Sequence, residues 1–391
     1  MKKFAKVLSV IMVIAMVCAC FAGCGAKKSG SYTANNKEYI IGLSGPLTGA
    51  AAIYGNGVKN GAQLAVDEIN EAGGLNGVKF KLEATDDMHD ATKVANNYSS
   101  LLEKGMQVSL GCVTSAPCAE WTNLSHEDNV FFITPSASND KVPKYDNGYQ
   151  MCFADGNQGK AAAEYVNQNF KGQTIGIFYK SDDNYSNGIY EQFTENLSED
   201  VKTVKTVFTD AGATSFDTQI NDLKDCKFIF MPIYYTPASI FMKQAKGIIA
   251  DDAVYYGCDG FDGIDSIEGF DISEIPQQVS MLSHFDSTAT EGAASEFIKK
   301  YTEKYGADTL NQFAASAYDC VYAIFQAMQK AGIDDVTISA SDLCDKLKDT
   351  FQGGFEFENG VTGAGDKVTW DKDGYVNKTA IKFVIKEANA Q

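Results

Sequence analysis

Residues 39–77 read YIIGLSGPLTGAAAIYGNGVKNGAQLAVDEINEAGGLNG, and two periodicities meet inside them. Tyr39–Ser44 is a short apolar, partly β-branched run of strand length. From about Asn56, Val58, Ala62, Ala65, Val66 and Ile69 recur at helical spacing until Gly73-Gly74 ends the pattern. A strand that feeds a helix is the opening unit of an α/β sheet. Gly55, Gly57 and Gly61 form GxGxxxG, one residue off the dinucleotide fingerprint. Ten residues separate the strand from Gly55, where that fingerprint needs a tight turn. The glycines therefore read as a tight helix start, not a nucleotide cradle.

The alternation continues along the chain. Further strands are predicted at 78–85, 108–110, 130–133, 174–179, 204–209, 227–231, 253–257 and 279–283. Helical patterns run near 91–104, 116–127, 158–169, 186–197, 237–248, 289–305 and 312–331. Strand–helix–strand alternation implies parallel-type sheets with helices on both faces. The pattern pauses after residue 133 and restarts after Phe153, which predicts two similar lobes. Residues 366–386 turn to strand-like sequence around Asp371-Lys-Asp-Gly374. The pattern leaves open which lobe owns the helices between 289 and 350.

The N-terminus reads as an export signal. Lys2, Lys3 and Lys6 precede a run from Val7 to Ala26 with no charge. Ala22-Gly23-Cys24 resembles the lipobox of bacterial lipoproteins, with Phe21 where Leu is usual. That resemblance implies a signal peptide over 1–23, lipidation at Cys24 and a tether over 24–37. An uncleaved anchor is the alternative, since about 20 apolar residues span a bilayer. Both place the body outside the cytoplasm. Without the three signal lysines the balance is 30 basic against 51 acidic residues, a net −21. That charge disfavours nucleic acid and anionic membrane surfaces as partners. Seven cysteines lie outside the signal, an odd number with no CxxC pair, so neither a disulfide scaffold nor a zinc site is expected. The EF-hand spacing is absent around Asp259, Asp262 and Asp265, and no metal or cofactor is expected.

In open α/β sheets ligands gather at the carboxyl ends of strands. Gly111-Cys-Val-Thr114-Ser115-Ala-Pro117 is such a junction. Ser115 stands where a cap belongs, and it either caps the helix or helps to hold an anion there. Thr134-Pro-Ser136-Ala-Ser138 puts two more hydroxyls at the next strand end. Asp259, after the strand at 253–257, is placed to receive a cation. His89, His126 and His284 lie far apart in sequence, and no nucleophile–base motif stands out, so catalysis is not expected.

Residues 40–77, Asp86-Asp87, GCVTSA (111–116) and ITPSAS (133–138) resemble the leucine/isoleucine/valine-binding proteins, a branch of the type I periplasmic binding proteins that serve ABC transporters. The resemblance covers essentially the whole body. It implies two lobes joined by a three-crossover hinge and closing on a solute: 38–154 plus 285–360, and 155–284 plus 361–391. It implies that Ser115 binds a ligand carboxylate with Thr114 beside it. Ser136 and Ser138 would serve both ligand charges, and Asp259 the ammonium. Tyr234 would close over the ligand, Tyr54 and Tyr185 would line its side chain, and Asp155 falls at the first crossover. The implied ligand is a small amino acid, branched-chain or otherwise apolar or aromatic. The implied partners are ABC permease and ATPase subunits, with the membrane reached through a lipid anchor and the chain a monomer. A non-amino-acid solute (an amide, urea or aromatic acid) and a sensor role for a membrane receptor are the alternatives. Globomycin, which blocks lipoprotein signal cleavage, is expected to leave the precursor uncleaved on an immunoblot; normal processing would remove the lipobox reading.

Overall fold

The computed structural model describes residues 36–363 and 367–388; the signal segment and Cys24 lie outside the described residues. Ten helices and thirteen strands are named among the described residues. The first sheet runs in the order β2-β1-β3-β4-β5 and is parallel throughout. Its strands are β1 (Tyr39–Gly45), β2 (Phe80–Asp86), β3 (Val108–Cys112), β4 (Phe132–Thr134) and β5 (Gly148–Gln150). β1 is buried at every position, as a strand covered on both faces must be. Its register pairs Tyr39 with Phe80 and Gly45 with Asp86, which brings the turn after β2 to the carboxyl end of β1.

The second sheet runs β13-β10-β9-β8-β6-β7. It contains β6 (Thr174–Lys180), β7 (Lys202–Phe208), β8 (Phe228–Met231), β9 (Val254–Gly257), β10 (Gln278–Ser283) and β13 (Ile381–Lys386). β13 runs antiparallel to β10; the other pairings are parallel. A small antiparallel pair, β11 (Phe357–Glu358) with β12 (Lys367–Val368), stands apart. The expected two-lobed α/β architecture is what the chain forms.

The lobe that owns the late helices is settled by packing. α1 (Ala52–Glu71) lies along α9 (Gln312–Lys330) and also meets α8 (Gly292–Tyr305), while α10 (Ala340–Gln352) packs on α9 and β3. The late helices thus belong to the first lobe, two of them against its sheet and α8 through α1. α2 (Val94–Glu103) and α3 (Ser115–Glu127) complete that lobe, and α4 (Asp155–Asn169), α5 (Asn184–Glu195), α6 (Asp217–Leu223) and α7 (Tyr235–Ala245) follow in chain order with the second. β5 and α6 escape the sequence reading. β5 is only GYQ, and α6 has just Ile220 and Leu223 buried.

The chain passes between the sheets three times: after β5, after β10 and before β13. The last passage comes later than residue 360. Gln150 N donates to Gly374 O at 3.0 Å, and Trp370 Nε1 donates to Gln150 O at 2.7 Å, so the Asp371–Gly374 turn rests on β5. A buried polar group ties the passages together. Lys378 Nζ donates to Met151 O at 2.7 Å and to the Thr362 hydroxyl. Asp319 accepts from Val361 N and Thr362 N, at 2.8 and 3.0 Å, and Gly363 N donates to His284 O at 2.7 Å.

The three glycines of GxGxxxG lie inside α1, not at its start, which is at Ala52. Close approach of backbone explains them. A Cβ on Gly55 would stand 2.1 Å from Pro46 O, and one on Gly61 2.0 Å from Ala314 O on α9. Gly61→Val must push α9 away from α1, which is expected to cost about 1–3 kcal/mol of stability. A lower melting temperature by circular dichroism checks this.

Candidate functional site

Strand ends from both lobes converge on one small, tightly closed cavity. Tyr54, Thr114, Ser115, Ser136, Tyr185, Tyr234 and Asp259 line it, together with Val113, Gly260 and Phe313. Ser138 and Asp155 are fully buried beside it and do not line it.

The first lobe supplies hydroxyls and a helix end. Thr114, with φ −111° and ψ 152°, is the residue that precedes α3; Ser115 is the first helical residue, not the cap. Neither side chain caps the helix. Thr114 Oγ1 instead lies 2.9 Å from His89 Nδ1, and Ser115 Oγ accepts from Asn139 N at 3.3 Å. With no side chain across it, the positive end of α3 opens on the cavity, as an anion requires. Ser136 Oγ donates to Val113 O at 2.7 Å, which fixes the β3 and β4 loops against each other. No arginine occurs anywhere in the chain, so no guanidinium can clamp an anion here.

The second lobe supplies one carboxylate. Asp259 sits in the short turn after β9, its backbone N donating to Gln158 Oε1 at 2.9 Å. Tyr185 OH donates to Asp259 Oδ1 at 2.7 Å and accepts from Gly260 N at 2.9 Å. Burial raises the Asp259 pKa to about 6, against the downward pull of the Tyr185 and Gln158 hydrogen bonds. No lysine is among the groups that shift it most. Asp155 is pushed well above the usual carboxylate range by burial, although Ser138 and Asn139 act to lower it.

Aromatic rings close the remaining sides. Tyr234 stacks on Tyr185 with centroids 4.7 Å apart and planes 17° from parallel. Tyr54, from α1, meets Phe313, from α9, edge-on at 4.8 Å. Tyr54 OH crosses between the lobes and donates to Gly260 O at 2.6 Å. Thr236 Oγ1 to Ala50 O at 2.9 Å and Gln312 N to Asp262 Oδ2 at 2.7 Å bridge the lobes too, so the cleft is shut.

Sequence reasoning missed Val113, Gly260, Phe313 and His89. Val113 and Gly260 neighbour chosen residues, so the strand-end rule pointed beside them. Phe313 arrives only because α9 lies on α1, which no local pattern announces. The His89 signal is the acidic turn before it, which was noted without its consequence.

This two-lobed sheet pair with a closed, polar-and-aromatic cavity between its strand ends defines a solute-binding protein. The chain belongs to the periplasmic binding protein family, whose profile, described as "Periplasmic binding protein", matches residues 38–379. Membership places the body outside the cytoplasm. Among curated relatives, the Leu/Ile/Val-binding protein BraC3 of Rhizobium johnstonii is 28% identical over 79% of this chain and 84% of its own length. The branched-chain amino acid transporter substrate-binding protein LivJ of Streptococcus pneumoniae, solved in complex with isoleucine, is 26% identical with a TM-score of 0.72, covering 88% of this chain and all (100%) of that one. The leucine-binding protein LivK of Thermotoga maritima shares the fold, with a TM-score of 0.77 at 21% identity over 90% of this chain and 96% of that one.

The raised pKa of Asp259 has a stability consequence with a definite sign. The folded value, about 6, lies above the unfolded value of about 4, so the cost of burying the charge is absent below pH 4 and complete above pH 6. Asp259→Asn keeps an acceptor for Tyr185 and removes the charge. It is expected to stabilise the unliganded protein by up to about 3 kcal/mol at pH 8, and the gain should vanish by pH 4. Urea unfolding at the two pH values measures it.

Proposed function

We propose that the chain captures a small α-amino acid with an apolar or aromatic side chain and delivers it to the permease of an ABC transporter. Asp259 carries this reading: a buried carboxylate on one lobe, sharing a closed cavity with the open end of α3 and the hydroxyls of the other lobe. An α-amino acid supplies the two charges that these groups lack. Its carboxylate takes the α3 end with Ser115 and Thr114, and its ammonium takes Asp259. Both ligand charges are buried on closure, so each needs its partner. The aromatic walls suit an apolar side chain. Ser138 and Asp155 support the floor from beside the cavity. The names of the relatives point to the same ligand class.

The body works outside the membrane, held by a diacylglycerol on Cys24 and a tether over 24–37, and acts as a monomer. Two acyl chains give an anchorage that one alone does not.

A thermal-shift screen of the purified protein against the twenty amino acids, with amides and aromatic carboxylic acids alongside, tests the ligand class. A ligand at about 100 times its Kd stabilises by roughly 2.7 kcal/mol, a rise of several degrees. Stabilisation by one group of α-amino acids is expected, with loss of affinity of at least about a hundredfold in Asp259→Asn, where the ammonium is left without a countercharge. Stabilisation only by non-amino acids, or unchanged affinity in the variant, would overturn the assignment.

A further inference from the structure

The turn after β2 holds two consecutive non-glycine residues in the left-handed region, Met88 at φ 55° and His89 at φ 62°. Such backbone is strained and persists only where its surroundings over-determine it. Here two carboxylates do so. Asp86 Oδ1 accepts from Met88 N and Asp87 Oδ1 from His89 N, each at 2.9 Å. Asp87 Oδ2 accepts from Ser44 Oγ at 2.9 Å, which fastens the turn to β1. The result is that Met88 faces solvent and His89 turns toward the cleft.

His89 touches both lobes there. Its Nδ1 lies 2.9 Å from Thr114 Oγ1 in the first lobe. Its ring meets Tyr234 of the second lobe edge-on, with centroids 5.2 Å apart and planes at 80°. Thr114 and Tyr234 both line the cavity, which His89 itself does not. Tyr234 in turn stacks on the Tyr185 that holds Asp259. Burial keeps the imidazole below its usual pKa, with Asp183 and Asp90 opposing that and Lys180 assisting it.

We propose that His89 is a positioning residue for ligand capture, which fixes the Thr114 hydroxyl at the cavity wall and seats Tyr234 in the closed cleft. This rests on the amino-acid reading of the cavity. The Tyr234 contact joins the two lobes, so parting them breaks it. Its loss therefore speeds release more than it slows capture. The strained turn is the local cost of that contact.

The test measures association and dissociation of L-leucine, L-isoleucine, L-valine and L-alanine by stopped flow, with melting temperatures of the unliganded protein. His89→Gly relaxes the left-handed backbone and removes the ring. It is expected to melt no lower than the wild type, while the amino acid that binds dissociates roughly tenfold faster with its association rate little changed. His89→Asn tolerates the left-handed region and presents polar atoms toward Thr114, and is expected to recover part of the loss. Wild-type release rates in His89→Gly, or a lowered melting temperature with unaltered kinetics, would leave His89 a structural residue and overturn the proposal. If the wild type binds none of the four, the failure lies with the amino-acid reading, and the proposal falls with it.

Discussion

A carboxylate buried without a protein cation is the constraint on which the cleft turns. The Asp259 carboxylate accepts from Tyr185, its backbone N donates to Gln158, and no ion pair to it is found among the described residues. Hydrogen bonds from neutral groups lessen the cost of such a charge but do not cancel it. On the amino-acid reading proposed above, the deficit is met by the ligand's ammonium. Around the carboxylate stand the tyrosine pair over Asp259, the end of α3 without a side-chain cap, and the turn that brings His89 to the cleft.

The first lobe answers with neutral groups. In a chain without arginine, anion recognition falls to hydroxyls and backbone N–H groups at a helix end. Such groups carry no full charge, so the cavity has one formal charge at Asp259 and not a balanced pair. The proposed α-amino acid, with its ammonium and carboxylate, satisfies both walls at once. The aromatic walls then exclude water from between the two charges, and low local dielectric strengthens each contact.

The fold was largely legible because a doubly wound sheet repeats one local pattern: a β-branched run, a turn, a helical period. Strand ends could then be inspected as sites, and Thr114, Ser115, Ser136, Tyr185, Tyr234 and Asp259 meet at one cavity. What was not legible depends on distance in the chain. Phe313 reaches Tyr54 through the packing of α9 on α1, and that packing depends on Gly61, whose hydrogen faces Ala314 O. The sequence showed the glycine but not the neighbour that required it. Ser115 before Pro117 suited either a cap or an anion site, and it is no cap: the helix begins one residue earlier than that pattern suggests. The family resemblance implied a third passage near 360. The Asp371–Gly374 turn stays on β5 through backbone hydrogen bonds, which leave no trace in side-chain pattern.

The order of the strands also makes the two jaws mechanically unequal. The chain enters the described body at β1, in the interior of the first sheet, and reaches the second only through the passages bound together at Lys378. Any pull on the residues before Lys37 is therefore borne by the first lobe alone. The second lobe joins the first through the chain only at the hinge, and otherwise through contacts across the cleft that opening releases. A leash on this chain would restrain where the molecule stands without loading the motion that opens it, so the work of closing on a solute would be the same whether the leash is slack or taut.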